Sequence, residues 1–436
     1  MIQYNMKRKD IKLLSCIICV ILILFISQFT PSKASGTFVR ITQSGKETGL
    51  YPLNIDTDIR LDHNTIHIED GQVSVADADC PDRLCVNQGS ISKPGQTIAC
   101  LPGRTVIQIM ASDPSDTSFP ITYSGIHFDT LVDVKVFSVS EGDTALSDLS
   151  DMIKDECTRY ELICSRTDSE SELYRLNHRL ITDNKAVEYK GNTVIAYRVS
   201  DELYDMISAG MSAYGLSDGL FDISIASVSE LWDFSSGNGT LPSEADIAAA
   251  LTHVSADNII LFDDSYIGFK DDNCMIDLGG LAKGYIGDRL RDILISRGAD
   301  SALISLGGNV VAIGDKAGES FSVGIRQPFA TDNAVAAMVS ASDTSVITSG
   351  TYERYFITDN KLYHHILDPS TGYPFDTDLS SATVIGGSSL QGDILSTVLL
   401  AEGSDLAMEH AKRLIDDNIA VILIDDNGDI IYNSCS

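Results

Sequence analysis

The chain has 436 residues, 44% of them hydrophobic, which is enough for two or three domains with ordinary cores. Its 62 acidic and 31 basic residues give a formal charge of -31. That charge excludes non-specific nucleic-acid binding, which needs a basic surface, and fits a solvated acidic exterior.

Lys7, Arg8, Lys9 and Lys12 precede an apolar run from Leu13 to Phe29. Basic residues ahead of an apolar segment keep the N-terminus in the cytoplasm while the rest is exported. The run is close to the lower length limit for a membrane-spanning helix. Ser32-Lys33-Ala34 offers small residues to a signal peptidase. Residues 1–36 are therefore expected to form an apolar helix with a short spacer, either a membrane anchor or a cleaved signal. The anchor is the preferred of the two open readings, and it places the rest of the chain outside the cytoplasm. Cys16 and Cys19 lie inside the run rather than after it, against a lipoprotein signal.

Residues 37–110 read as a small all-β domain. TIHIEDGQVSVA (65–76) alternates apolar and polar residues on either side of Asp70-Gly71, a hairpin signal, and TVIQIM (105–110) is another strand. Cys80, Cys85 and Cys100 cluster in this segment. Three cysteines make at most one internal disulfide, whose pairing the sequence leaves open. No fourth zinc ligand stands at suitable spacing, so a disulfide or buried thiols are preferred to a metal. Residues 111–122 have the Ser/Asp/Pro composition of a linker.

From 123 to 436, strands and helices mix without a regular βαβ repeat, which predicts an α+β fold. Leu146, Leu149, Ile153 and Tyr160 mark one amphipathic helix; Val199, Leu203, Met206, Ile207 and Tyr214 mark a second. SSGNGT (235–240) is a surface loop, residues 258–277 are a strand meander, and residues 420–434 are a closing hairpin. In DLGGLAKGY (277–285), a short strand end at Met275-Ile276 meets Asp277, two glycines and then an apolar-periodic helix. Strand, glycine turn and helix start together suit the presentation of backbone groups to a phosphate, with Lys283 as a positive charge in the first helical turn; an ordinary tight turn is the alternative, and the commoner one for Gly-Gly after a strand.

SLGGN (305–309) follows, then SGTYERYF (349–356), YHHILDPSTGYP (363–374) and GDILSTVLLAEG (392–403). Asp393 and Thr397 are i and i+4 on one helix face, a carboxylate and a hydroxyl suited to a hard cation such as Mg²⁺; a capping Asp and a solvent-facing Thr are the alternative. His364 and His365 adjoin in a strand and should point to opposite faces. Arg354 carries a planar fork of donors suited to a phosphate or a carbonyl, or to a surface salt bridge. Tyr352 and Tyr355 can pack on an aromatic ring or fill core.

Taken in order, these segments resemble the motif set of the FAD:protein FMN transferases, the ApbE-type flavin transferases, and the resemblance covers roughly residues 123–436. FDT (128–130), the Ser-Glu-Leu pattern at 171–177 and DGLFDISIASVSELWDF (218–234) resemble the family's other landmarks. Gly392 stands where the family often has Ala, a difference expected to matter little. CPDRLCVNQGSISKPGQTIACLPGRTVIQI (80–109) resembles the second domain of NusG proteins, here detached from transcription.

The resemblance implies Mg²⁺-dependent transfer of FMN from FAD onto a Thr or Ser hydroxyl of an extracytoplasmic acceptor protein, with release of AMP. It implies Asp393, Thr397 and the Gly280 carbonyl as metal ligands. It implies Phe128, Thr167, Leu220, Phe221, Asp222, Asp277, Lys283, Arg354, His365 and Ile366 as flavin or adenine contacts. His365 or Asp277 would take the hydroxyl proton. FAD hydrolysis to FMN and AMP, and a non-catalytic flavin-binding electron-transfer module, are the alternatives. No acceptor motif is present in the chain itself.

Overall fold

The computed structural model describes residues 37–80, 83–110, 120–139, 148–234, 239–330 and 334–435. The basic and apolar N-terminal segment, most of the 111–122 linker and most of the 235–240 loop lie outside the described residues. Among the described residues, no helix is long and apolar enough to cross a membrane.

The N-terminal strands are β1 (Phe38–Gln43), β2 (Lys46–Pro52), β3 (Thr57–Arg60), β4 (Asn64–Glu69), β5 (Gln72–Ala78), β6 (Thr97–Cys100) and β7 (Thr105–Met110). They form two antiparallel sheets, ordered β2-β1-β7-β6 and β3-β4-β5. The hairpin read at Asp70-Gly71 joins β4 to β5, and both turn residues take positive φ (50° and 75°), as a tight primed turn requires. Alternation then sends Ile66, Ile68, Val73 and Val75 inward against Ile41, Ile107 and Ile109. One helical turn, α1 (Leu84–Asn87), departs from the all-β expectation.

The larger unit opens with β8 (Ile121–His127) and β9 (Thr130–Val139). A second sheet is built from β10 (Asn184–Tyr189), β11 (Asn192–Arg198), β12 (Ile259–Phe262) and β13 (Tyr266–Phe269). Then come β14 (Ala299–Leu306), β15 (Asn309–Ile313), β16 (Phe321–Arg326), β17 (Val335–Ala341) and β18 (Ser345–Gly350). The last strands are β19 (Tyr355–Thr358), β20 (Lys361–His364), β21 (Leu379–Ile385), β22 (Ala420–Asp425) and β23 (Ile430–Asn433). Eight of them make one antiparallel sheet ordered β23-β22-β21-β18-β15-β14-β9-β8.

The principal helices are α2 (Leu149–Cys164), α3 (Glu172–Asn177), α4 (Asp201–Leu216), α5 (Ala226–Ser229), α6 (Glu244–Leu251), α7 (Ala282–Ser296) and α8 (Ser389–Leu414). The apolar stripes read in the sequence put Ile153 and Tyr160 of α2, Leu203, Met206 and Ile207 of α4, and Ile286 and Leu290 of α7 into one core with Val132, Val134 and Ile304 of the sheet. The β16–β17 hairpin covers the other face through Phe321, Val323 and Val339. Met275-Ile276 is not a regular strand. It forms a single parallel bridge with Ile225, and Asn177 grips both the N–H and the C=O of Ile276 (2.8 Å each). A side-chain clamp thus replaces the ladder the apolar pair suggested.

The two units touch at β8. Ser124 Oγ lies 3.2 Å from both Thr97 Oγ1 and Gln108 Nε2 of the small domain. β8 begins at Ile121, two residues before the expected boundary.

Candidate active site

The site centres on the crossing of α7 and α8. At Gly284 an added Cβ would lie 2.5 Å from the Ser389 carbonyl and 2.7 Å from Asp393 Cβ; at Gly287 it would lie 2.8 Å from Ser389 Oγ. Glycine is required at 284, where the clash would be with backbone, and eases the same close approach at 287. The close crossing brings Asp393 of α8 onto the first turn of α7, where helix N–H groups have no intrahelical partner. Gly284 N donates to Asp393 Oδ2 at 2.8 Å. Asn309 Nδ2 donates to Asp393 Oδ1 at 3.0 Å, and Lys283 Nζ stands 3.9 Å from the same oxygen. Asp393 is only 3% exposed, so it is a buried carboxylate held by two neutral donors and one cation.

Thr397 shares the face of Asp393, as the spacing predicts. Its hydroxyl donates to the Asp393 carbonyl (3.0 Å) and lies 3.1 Å from Ser349 Oγ, which also meets Ser396 Oγ at 2.8 Å. Gly280 sits four residues ahead of Gly284, in the turn that feeds α7, and the Phe221 ring packs where its Cβ would be (2.9 Å). The carboxylate, the hydroxyl and the Gly280 carbonyl are all hard oxygen donors, and that chemistry suits Mg²⁺. With a single carboxylate in the set, water and substrate oxygens would fill the remaining positions.

Gly392 matters more than its sequence context suggests. An added Cβ there would meet Ile347 Cγ1 at 2.6 Å, so glycine accommodates the isoleucine of β18 beneath α8.

Asp277 is engaged on every side. Its N–H donates to the Ile223 carbonyl (2.7 Å). Oδ1 accepts from Gly279 N (2.8 Å), and Oδ2 accepts from Ser229 Oγ (3.0 Å) and pairs with Arg166 Nε (3.2 Å). The carboxylate therefore holds the glycine turn in shape. Arg166, in an unremarkable stretch of sequence, carried no signal of this role.

β20 ends at His364, so the strand alternation expected of the pair does not extend to His365, which lies in the bend that follows. His364 is 4% exposed; its Nε2 donates to the Phe375 carbonyl (3.1 Å) and its Nδ1 accepts from Ile366 N (3.3 Å). Burial lowers its pKa to about 4, so it is a neutral structural histidine. His365 is half-buried, with Nδ1 3.3 Å from the Arg354 carbonyl. Only an N–H can meet a carbonyl, so Nε2 keeps the lone pair. Enclosure by protein pushes the His365 pKa down to about 3, with the charges of Arg354, His364 and Lys283 adding to it.

Lys283 therefore links the Asp393 junction electrostatically to His365. It also acts on Glu353, an acid the sequence did not single out. Surrounding protein raises the Glu353 pKa against the pull of Arg326, Lys283 and Arg354, but the residue keeps solvent access, which limits the energy involved.

The remaining expected contacts are less central. Leu220 is half-buried and Ile366 packs in the core beside Leu399 and Leu423. Asp222 is committed to structure: it accepts from Ser224 N and Oγ (2.8 and 2.7 Å) and from Ala256 N (3.2 Å). Phe128 occupies the β8–β9 turn with φ 54°, its N–H on Glu161 (2.9 Å). Thr167 is exposed in the loop after α2, next to Arg166. Tyr352 is buried against Phe329, while Tyr355 is exposed.

The model of the ApbE family matches residues 128–423, and that of NusG domain II matches residues 13–113. An FAD:protein FMN transferase of Klebsiella pneumoniae (strain 342) is 34% identical over 314 residues, 72% of this chain and 92% of its own length. One of Treponema pallidum (strain Nichols) is 30% identical over 292 residues, 63% of this chain and 76% of its own. The crystal structure of the ApbE protein from Thermotoga maritima matches with a TM-score of 0.62 at 30% identity, over 72% of this chain and 97% of that one.

Proposed function

The chain belongs to the ApbE family, and from that premise we propose that it is an Mg²⁺-dependent enzyme moving FMN from FAD onto a Thr or Ser hydroxyl of an acceptor protein outside the cytoplasm. Its class is FAD:protein FMN transferase, the name its curated relatives carry. The observation that carries the reading is the α7–α8 junction, where a buried Asp393, Thr397, Lys283 and the N-terminal turn of α7 converge on one place.

In the reaction the acceptor hydroxyl oxygen bonds to the phosphorus of the FMN half of FAD. The pyrophosphate P–O bond breaks, AMP leaves, and the hydroxyl proton passes to a base. Mg²⁺, held by Asp393, Thr397 and the Gly280 carbonyl, would supply charge neutralisation on the phosphate oxygens. Lys283 adds fixed positive charge beside the same junction. The glycines of the 277–281 turn would let its backbone approach the phosphates, and the Arg166–Asp277–Ser229 contacts hold that turn in shape. Asp277 is saturated by those contacts, which favours His365 as the group that receives the hydroxyl hydrogen through its Nε2 lone pair. A low pKa makes His365 an orienting acceptor rather than a lasting store for the proton.

The N-terminal basic and apolar run supports a membrane-held enzyme with its catalytic unit exported. Protease added to intact spheroplasts should then digest the catalytic unit; protection until lysis would contradict that topology. To test the chemistry, purified enzyme is given FAD and Mg²⁺ with and without an acceptor. Transfer requires AMP release that depends on the acceptor. Equal AMP release in its absence would make the enzyme an FAD pyrophosphatase, and tight flavin binding without AMP release would make it a carrier.

A further inference from the structure

The cysteines of the small domain converge on one point. Cys80 precedes α1, Cys85 lies within it, and Cys100 ends β6. Their three sulfur atoms all lie within 4.8 Å of one another, and the residues are 7%, 2% and 3% exposed. The Cys80 and Cys85 sulfurs are 3.8 Å apart. A disulfide needs about 2.0 Å. Two thiolates on one tetrahedral zinc, each at about 2.3 Å, are held about 3.8 Å apart. The spacing excludes a disulfide and fits either two thiols in contact or a shared ion.

A fourth donor is also present, which the sequence spacing did not reveal. Asn64, at the start of β4, is 3% exposed, and its Oδ1 has no hydrogen-bond partner. Its Nδ2 lies 3.9 Å from Cys85 Sγ. A Cβ built on Gly103 would lie 2.8 Å from Asn64 Oδ1 and 3.2 Å from Cys100 Sγ, so the amide oxygen and the third sulfur flank the same spot. A buried amide oxygen left without a partner is costly unless something binds it.

We propose that Cys80, Cys85, Cys100 and Asn64 bind a single zinc-class cation in the N-terminal domain, separate from the oxygen-donor site of the catalytic unit. Four protein donors would leave no open coordination position, as in a structural rather than a catalytic zinc site, with an amide oxygen standing where such sites usually have a fourth Cys or a His. The ion would tie α1 and the β6–β7 turn to β4, joining the two small sheets. Metal binding would release the thiol protons, so uptake should be accompanied by acidification of an unbuffered sample.

The full-length chain, purified under reducing conditions without chelator, should carry one equivalent of zinc by elemental analysis. Stripped and titrated with Co²⁺, it should develop thiolate-to-cobalt charge-transfer absorption, which oxygen ligands at Asp393 cannot give. Cys85→Ser should abolish that absorption, and Asn64→Ala should weaken metal affinity by about tenfold or more. Cys274→Ser, which alters a buried thiol of the main core, should change neither result. If reduced wild-type protein takes up neither zinc nor cobalt, the site does not exist. A disulfide among Cys80, Cys85 and Cys100 in protein isolated with one equivalent fewer metal than the reduced chain can bind would show that the ion is displaced by oxidation; a disulfide together with no uptake after reduction overturns the proposal. The wild-type titration decides the matter even if a cysteine variant fails to fold.

Discussion

Replacing Asp393 by Asn removes one charge from the α7–α8 junction while nearly preserving its shape. The carboxylate accepts from Gly284 N at 2.8 Å and from Asn309 Nδ2 at 3.0 Å. An Asn side chain has one acceptor oxygen, so its NH₂ must face one of those donors. That mismatch costs about 1–3 kcal/mol. Asp393→Ala leaves both donors without a partner and should cost about 2–4 kcal/mol, still short of the 5–15 kcal/mol that holds a typical domain folded. Both variants should therefore fold with lowered melting temperatures, Ala more than Asn. Catalysis should suffer far more. If Asp393 is the metal ligand proposed, losing its charge should reduce kcat/KM for FMN transfer about 100-fold or more in either variant. The assay is acceptor flavinylation at limiting Mg²⁺, alongside thermal melting of each protein. An Asp393→Asn enzyme transferring FMN at the wild-type rate would refute the assignment of the metal site. Melting temperatures unchanged from wild type would refute the role of Asp393 in capping α7.

Further outcomes follow from the same geometry. Gly392→Ala should destabilise the enzyme by about 1–3 kcal/mol, because the new methyl meets Ile347 at 2.6 Å; an unchanged melting temperature would show that β18 yields freely. His364 has a folded pKa of about 4 against an ordinary 6.5, so the unfolded chain binds more protons between those values. Stability should consequently rise with pH from about 4 to 6.5 and level off above, by about 1.4 kcal/mol per pH unit from this residue; flat melting temperatures across that window would contradict its buried, neutral state. A fragment beginning at Pro120 should fold and transfer FMN, since the core of the larger unit is distinct from that of the small domain. Loss of FAD binding by a folded fragment would give the small domain a part in the site. Cutting before Tyr123 would instead remove Ile121 and Thr122, which pair with Val136 and Lys135 of β9.

What the sequence makes legible is local. Helical spacing places Asp393 and Thr397 on one face, because side-chain direction follows from backbone period; the same rule does not reach His365, since β20 ends at His364. The Asp70-Gly71 hairpin and the amphipathic helices are found for the same reason. What it conceals is contact between distant segments. Gly284 and Asp393 are 109 residues apart, and Asn64 of β4 meets Cys85 of α1 across 21 residues. Arg166 holds Asp277 across a loop whose sequence has no pattern to read. Asp222 shows the converse: a motif position can suggest a ligand contact while its carboxylate is occupied in capping Ser224 and Ala256.

The most direct test of FMN transfer is the mass of the acceptor. A peptide or protein bearing a flavinylation motif, incubated with this enzyme, FAD and Mg²⁺, is analysed by intact mass and by fragmentation, with AMP quantified in the same reaction. The account predicts an FMN phosphodiester on one Thr or Ser, formed in step with AMP and absent without Mg²⁺. AMP and free FMN accumulating while the acceptor stays unmodified would contradict it.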